Sequence, residues 1–153
     1  DLDISRKEAE GYIEKYFVTY KKVKEFLDKT VANAKKSGYT TTMFGRRRPI
    51  PELSSSNFMT RSFGERAAMN SPVQGTAADI IKIAMVHVNR RLQEEHLQSR
   101  LVLQIHDELI IETKKEELEI VQKLLVEEMM HAAELSVPLV VDENTGDSWF
   151  DAK

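Results

Sequence analysis

The sequence predicts an α+β fold, in which an antiparallel β-hairpin and a C-terminal strand pack against several α-helices. Apolar residues recur every three or four positions over long segments, and this spacing is typical of amphipathic helices. Residues 101–113 (LVLQIHDELIIET) instead place two strand-forming runs on either side of His-Asp-Glu, which indicates a hairpin. The 153 residues have the length of one domain.

The first segment, residues 6–36, is predicted to form one helix or a broken pair of helices. Ser5 and Glu8 have the spacing of a capping box, and Gly38 is a natural helix stop. The run FVTY (residues 17–20) is rich in strand-forming residues and is the predicted break. The Tyr and Phe side chains of this segment recur at helical spacing, so we expect core packing rather than a base-stacking surface.

Residues 39–60 are predicted to form loop and short strand, because this region holds two prolines, a glycine and a serine run. A short helix is expected to start at Ser62. A second is expected at Ser71, with Pro72 at the first helical position, and Thr76 is a competing start. This helix should extend to about His96. Its predicted apolar face consists of Val73, Ala77, Ile80, Ile81, Ala84, Val88 and Leu92.

Beyond the hairpin, residues 116–135 are predicted to form a helix, and residues 137–142 (VPLVVD) a closing strand. The inward-facing residues of the helix would be Leu118, Val121, Leu124, Leu125 and Met129. The sequence contains no internal repeat and no low-complexity segment.

Composition excludes several classes of site. The chain has no cysteine, which excludes disulfides, thiolate metal sites and a cysteine nucleophile. No apolar run approaches the roughly 20 residues of a membrane span, and the first residues lack a signal pattern, so we expect a cytoplasmic protein.

Residues 1–100 carry 18 Lys+Arg against 12 Asp+Glu, whereas residues 101–153 carry 4 against 13. The basic stretch 35–66 suggests phosphate contacts, although a solvated surface loop explains it as well.

The polar centre of the hairpin, His106, Asp107 and Glu108, suggests a metal site. Two-residue hairpin turns favour Asn-Gly or Asp-Gly, and glycine is absent here. Adjacent carboxylates repel each other, and a divalent cation would compensate that repulsion. Oxygen ligands without thiols favour Mg²⁺ or Mn²⁺. An ordinary polar turn remains an alternative. A further carboxylate could come from Asp142, Glu143, Asp147 or Asp151, and their spacing selects none of them.

Four stretches carry a resemblance to a known family. QIHDELIIE resembles the third catalytic motif of the family A, or DNA polymerase I-type, DNA polymerases. SFGERAAMNSPVQGTAADIIKIAM is similar to the segment that precedes that motif, and GYTTTMFGRRRPIPEL to the loop region before it. The terminal GDSWFDAK resembles the extreme C-terminus of those enzymes. The resemblance covers essentially the whole chain in the family's order.

The resemblance implies roles for nine residues in template-directed DNA synthesis. Asp107 would bind Mg²⁺ and the incoming deoxynucleotide, and Glu108 would be a helpful second acid near the same metal. His106 would touch the primer end in the minor groove. Gln74 and Asn70 would touch the primer–template, and Arg66 the template strand. Correct base pairs all present acceptors in the minor groove, so donors there can test pair geometry without reading sequence. Phosphate or structural contacts are expected from Arg46, Arg47 and Arg48.

The resemblance also implies a partial enzyme. The family's first motif, with another essential Asp, and its second motif, a nucleotide-gripping helix, do not occur in this sequence. Residues 1–153 would therefore be a single C-terminal piece of a polymerase domain, with fingers-side helices and loop over residues 1–70 and a palm portion over 71–153. We expect it to be inactive alone. Its partners would be primer–template DNA, deoxynucleoside triphosphates and the remaining polymerase segments, on the same chain or another, with no membrane.

Two rival functions stay open from the sequence. One is a duplex-DNA-binding module without chemistry, which would bind DNA in a salt-sensitive way and be indifferent to Mg²⁺. The other is a metal-dependent nuclease or phosphatase that uses His106 as a base and Asp107 as a ligand. Such an enzyme would hydrolyse DNA in the absence of nucleotides.

Overall fold

The computed structural model describes residues 4–152 and has the predicted α+β composition. Its helices are α1 (Arg6–Thr19), α2 (Lys21–Ser37), α3 (Phe58–Glu94) and α4 (Leu118–Met130). One antiparallel sheet pairs β1 (Tyr39–Thr41) with β2 (Arg47–Pro49), and another pairs β3 (Arg100–Ile105) with β4 (Glu108–Glu112). Short 3-10 turns cover Pro51–Ser54 and Lys115–Glu117.

Helices α1 and α2 confirm the prediction of a broken pair. Ser5 Oγ accepts from the backbone N–H of Glu8, and the Glu8 carboxylate accepts from the backbone N–H of Ser5, so the capping box is complete. The break falls at Tyr20, the last residue of the FVTY run. Gly38 ends α2 with a φ of +81°, a left-handed conformation that glycine adopts without steric cost.

The expected core role of the first aromatic stripe is wrong. Helix α1 has no buried residue, and Tyr12, Tyr16 and Tyr20 are 63%, 49% and 54% exposed. Helical periodicity predicts that these rings share one side of the helix, but it does not determine what covers that side.

The chain divides into two compact units, one ending at Gln74 and one starting at Gly75. The core of the N-terminal unit consists of Ala34, Ile50, Leu53 and Ala68. Gly64 makes that core possible, because an added Cβ would lie 2.9 Å from the Glu52 Cβ and 3.0 Å from the Leu53 nitrogen. The predicted division at residue 70, between a fingers-side part and a palm portion, stays a prediction.

Helix α3 is continuous over 37 residues, so the predicted helix starts at Ser62, Ser71 and Thr76 are wrong. Its N-terminus is capped instead by Asn57, whose Oδ1 accepts from the backbone N–H groups of Met59 and Thr60. Ser71 does not cap a helix, because its hydroxyl donates to the Ala67 carbonyl one turn earlier. Pro72 therefore lies inside the helix, although proline cannot donate the usual backbone hydrogen bond there.

The C-terminal end of α3 is close to the predicted one and forms a Schellman motif. Leu97 donates to the Leu92 carbonyl, and His96 donates to the Gln93 carbonyl. His96 has a φ of +55°, in the left-handed region that such a motif requires.

The core of the C-terminal unit joins α3, the β3–β4 hairpin and α4. Its buried residues are Ile81, Ala84, Val88, Leu92, Leu109, Val121, Leu124 and Ala132. The predicted inward faces of both helices are mostly confirmed, but Val73, which is 61% exposed, and Ala77 are exposed. Helix α4 is shorter than the predicted span 116–135, since its first turn is 3-10 and it ends at Met130.

The predicted closing strand at residues 137–142 is wrong. This segment forms no regular secondary structure, and Val137 and Val140 are 72% and 82% exposed. Residues of strand-forming composition form a strand only where the edge of another strand is available to pair with them. Within residues 4–152, both sheets are two-stranded and neither includes this segment. No helix within the described span is long and apolar enough to cross a membrane.

Candidate functional site

The His-Asp-Glu motif lies at the tip of the β3–β4 hairpin, as predicted. Ile105 pairs with Glu108, so His106 and Asp107 alone form the turn and Glu108 is the first residue of β4. His106 has a φ of +52°, which is uncommon for a residue with a side chain and costs about 1–2 kcal/mol. The turn presents His106, Asp107 and Glu108 as exposed side chains. A strained backbone at an exposed acidic tip is a feature that functional sites often share.

Gln104 supports this turn, and sequence reasoning missed it. Its side-chain Nε2 donates to the His106 carbonyl at 2.6 Å. Gln104 is partly buried and pairs with the buried Leu109 of β4. The available signal was an amide side chain inside an otherwise apolar strand, where a hydrogen-bond partner is needed. We therefore regard Gln104 as a positioning residue for the turn.

A bulge in β3 sets the side on which Gln104 lies. Leu101 pairs with Ile111 and Leu103 pairs with Ile110, so Val102 is an extra residue in the ladder. Leu101 and Gln104 consequently share the face that packs on the core, although they are three residues apart. Val102 and Leu103 are 50% and 44% exposed.

Glu117 fixes the other end of the hairpin. Its carboxylate accepts from the backbone N–H groups of Gln98 and Ser99, both at 2.9 Å, and from Ser99 Oγ at 2.6 Å. The N–H of Lys114, just after β4, donates to the same Ser99 hydroxyl. The hydrogen bond from the Gln98 backbone, followed by that from the Ser99 side chain, lowers the pKa of Glu117 below its ordinary value of 4.5.

We expect Glu117→Gln to lower the urea midpoint of unfolding at pH 7 and to have little effect near pH 3. A carboxyl whose pKa is lower in the folded state stabilises the fold above its unfolded pKa, near 4.5. That stabilisation is lost as the pH falls through the folded pKa, so the unchanged chain and the variant should have similar urea midpoints in acid. Far-UV circular dichroism can follow unfolding at both pH values. Glu116→Gln is the matched control. A Glu117→Gln chain with the same urea midpoint at pH 7 as the unchanged chain would contradict the anchoring role.

The turn does not by itself complete a metal site. Among residues 4–152, no group of three or more His, Cys, Asp or Glu side chains is placed to hold a metal ion. Of the predicted further donors, Glu143 accepts from Gln122 of α4 at 2.8 Å, and Asp151 accepts from Ser148. The oxygen atoms of Asp107 and Glu108 suit a hard cation, but further ligands must come from elsewhere.

The second group of candidate residues lies on α3 in the N-terminal unit. Arg66, Asn70 and Gln74 are four residues apart on one continuous helix, so they follow one side of it, and all three are exposed. Arg66 donates to Ser62 Oγ at 3.0 Å within the same helix. The structure thus forms a polar stripe with hydrogen-bond donors, which we call the α3 stripe.

The three consecutive arginines belong to the β1–β2 hairpin of the same unit. Arg46 closes its turn, where its carbonyl accepts from the Thr42 N–H, and Gly45 takes a φ of +80°. Arg47 and Arg48 lie in β2 and are exposed. The Arg47 guanidinium lies 4.9 Å from the Tyr39 ring centroid, a cation–π contact that orders this side chain. An exposed, ordered cation is a suitable phosphate contact.

Sequence comparison identifies the relatives of this chain. The sequence profile of DNA polymerase family A matches residues 1–151. DNA polymerase I of Bacillus caldotenax is 54% identical over all 153 residues, and so is DNA polymerase I of Bacillus subtilis (strain 168). The chain spans only 17% of the length of each of these relatives.

A solved structure shows the same fold. The POL domain of Pol1 from M. smegmatis, in complex with DNA primer-template and dNTP, superimposes with a TM-score of 0.93 at 46% sequence identity. The match covers 97% of this chain and 26% of that one. The exposed acidic turn, the α3 stripe and the arginine hairpin therefore occur in a chain similar to part of a nucleic-acid-bound enzyme.

Proposed function

This chain belongs to DNA polymerase family A, and we propose that it contributes part of the active site of a longer enzyme that extends a DNA primer on a template. The observation that carries the proposal is the hairpin turn, which holds Asp107 exposed at the tip of two strands. This turn lies within residues 1–151, which match the family. In the proposed reaction, the primer 3′-hydroxyl attacks the α-phosphorus of a deoxynucleoside triphosphate, a phosphodiester bond forms and pyrophosphate leaves.

Asp107 is the proposed metal-binding residue. Family A DNA polymerases use divalent metal ions in general, and the residues present fit Mg²⁺ or Mn²⁺, since Asp107 and Glu108 offer exposed oxygen atoms and no thiol. When bound, such an ion makes the 3′-hydroxyl more acidic and neutralises charge on the triphosphate. Asp107 would bind the ion, and Glu108, which begins β4, would add negative charge beside it. Gln104 would keep the turn in its strained conformation.

The remaining candidates are proposed to bind primer–template DNA. His106 at the turn, and Gln74 and Asn70 on the α3 stripe, carry side chains that can donate to acceptors common to all base pairs in the minor groove. Arg66 would contact the template strand. The exposed guanidinium groups of Arg47 and Arg48 would contact phosphates, with Arg46 at the same turn. Residues 1–70 would then belong to the fingers side and residues 71–153 to the palm portion.

The hairpin itself supports a larger assembly. Its two strands have no third strand beside them within residues 4–152, and Val102 and Leu103 expose apolar surface on the face opposite the core. Two-stranded sheets are marginal alone. We propose that the remaining segments of the polymerase cover this face.

A chimera tests the proposed function. The matching 153 residues of the Bacillus caldotenax enzyme, which align over the whole of this chain, are replaced by this sequence. We expect the chimera to extend a labelled primer with Mg²⁺ and all four deoxynucleotides, and the isolated chain not to extend it. The thermal melting of the chimera checks that it folds.

Three results would contradict the proposal. A folded chimera that binds primer–template without extending it would favour a DNA-binding module. Hydrolysis of DNA by the isolated chain without nucleotides would favour a nuclease. Extension by the isolated, pure chain would show that it needs no further segments.

A further inference from the structure

The carbonyl of His106 lies just outside the paired ladder of the β3–β4 hairpin. The ladder closes at the pair formed by Ile105 and Glu108, so the two residues between them, His106 and Asp107, belong to the turn alone. The His106 carbonyl accepts a hydrogen bond from Nε2 of Gln104 at 2.6 Å. A side chain of β3 therefore supplies the donor for a backbone carbonyl of the turn.

This hydrogen bond holds a peptide plane that includes Asp107. The His106 carbonyl, the Asp107 N–H and the Asp107 Cα are coplanar, because the peptide bond is planar. His106 has a φ of +52°, which residues with a side chain adopt only at a cost, and relaxation of the turn would rotate this plane. The amide of Gln104 therefore holds the plane from which the Asp107 side chain projects.

The Asp107 carboxylate depends on the backbone for its direction. Asp107 is exposed, so packing against neighbouring side chains does not fix it. Gln104, by contrast, is partly buried and lies opposite the buried Leu109, on the face of β3 that packs on the core. Packing limits the rotamers of Gln104, and a donor restrained in this way keeps the turn in one conformation.

We propose that Gln104 sets the affinity of the acidic turn for its divalent cation, without touching the cation itself. This inference rests on the proposed function, in which Asp107 binds the metal. Side chains that orient metal-binding residues through hydrogen bonds commonly change metal affinity by about 10–100-fold. Without the Gln104 amide, the Asp107 carboxylate would take several directions, and part of the binding free energy would be needed to order it.

The test is Mn²⁺ binding by the chimeric enzyme without DNA or nucleotides, followed by the electron paramagnetic resonance signal of free Mn²⁺. Asp107→Asn first defines the share of binding that belongs to the turn. Gln104→Met keeps a side chain of similar length but removes the donor, and we expect the affinity of that share to fall by about tenfold or more. Gln104→Asn keeps an amide that is one methylene shorter, and it should weaken binding in the same way.

Primer extension by the same chimeras gives a second readout. We expect Gln104→Met to raise the Mg²⁺ concentration at half-maximal rate by about tenfold or more, and saturating Mg²⁺ should restore most of the rate. A residue that served folding alone would lower the rate equally at every Mg²⁺ concentration, because less of the enzyme would be folded.

Gln98→Met is the matched control for Gln104→Met. It makes the same substitution at the opposite end of the hairpin, where the Gln98 side-chain carbonyl accepts from the Lys114 ammonium. It should change neither the Mn²⁺ affinity nor the Mg²⁺ concentration at half-maximal rate. Thermal melting checks that each variant is folded.

Two results would overturn the proposal. One is a folded Gln104→Met chimera that binds Mn²⁺ as tightly as the unchanged chimera. The other is a rate that falls equally at every Mg²⁺ concentration. Failure of the proposed function is distinguishable, because the folded chimera would then not extend primers and Asp107→Asn would leave Mn²⁺ binding unchanged. In that case the role of Gln104 would fall as well, since the turn would bind no cation.

Discussion

Replacing Asp107 by asparagine in the chimeric enzyme is expected to lower the rate of primer extension on the order of a thousandfold or more. Asparagine keeps the size of the side chain but removes the charge that holds a divalent cation, and such a cation stabilises the transition state by several kcal/mol. Affinity for primer–template should stay within about threefold, because most of that affinity comes from phosphate contacts. Rapid-quench extension and anisotropy with labelled duplex measure the two quantities.

The neighbouring carboxylate provides the matched control. Glu108→Gln changes the same chemistry one residue further along, at the first position of β4, and we expect it to lower the extension rate by only about tenfold. The metal-binding role would be refuted by an Asp107→Asn enzyme that loses DNA affinity as much as rate, because Asp107 would then be structural. Equal effects of the two substitutions would mean that the carboxylates share the role.

The largest expected effect on stability belongs to Leu124→Ala. Leu124 is 1% exposed and lies in the core between α3, the hairpin and α4. Removing its side chain leaves a cavity, which should lower the free energy of unfolding by about 2–5 kcal/mol. Urea unfolding followed by the fluorescence of Trp149, the single tryptophan, measures the change in the C-terminal unit.

Ile120→Ala on the same helix is the control for Leu124→Ala. Ile120 is 49% exposed, so this substitution removes a comparable side chain without opening an interior cavity. The expected change is within about 1 kcal/mol. Similar losses in the two variants would contradict the assignment of Leu124 to the core.

Local capping signals predicted the first two helices well. Ser5, Glu8 and Gly38 act within one turn of their own positions, so sequence alone determines their effect. The hairpin was equally predictable, because two apolar runs flank a short polar centre. For the candidate site, the sequence led to the acidic turn, but its strained backbone depends on how β3 and β4 pair.

The errors concern packing between distant segments. Ser71 and Pro72 look like a helix start, yet α3 continues through them. The helix has buried residues on both sides of Pro72, namely Ala68 in the N-terminal unit and Ile81 and Ala84 in the C-terminal unit. Packing of each half outweighs a local cost of about 3 kcal/mol for an interior proline. The closing strand failed for the opposite reason, since residues 137–142 have the composition of a strand but no partner.

The bulge at Val102 determines how the hairpin tolerates changes of length. Replacing Val102 by another residue leaves the number of residues between Leu101 and Gln104 unchanged. Deleting it would remove the bulge and leave Leu101 and Gln104 two residues apart, so strict alternation would keep both on the core face, opposite Ile111 and Leu109. An extra residue between Leu103 and Gln104, with the bulge kept, would instead take the place opposite Leu109 and turn Gln104 to the other face, away from the His106 carbonyl. A codon gained just before Gln104 should therefore disturb the acidic turn more than a codon lost at Val102.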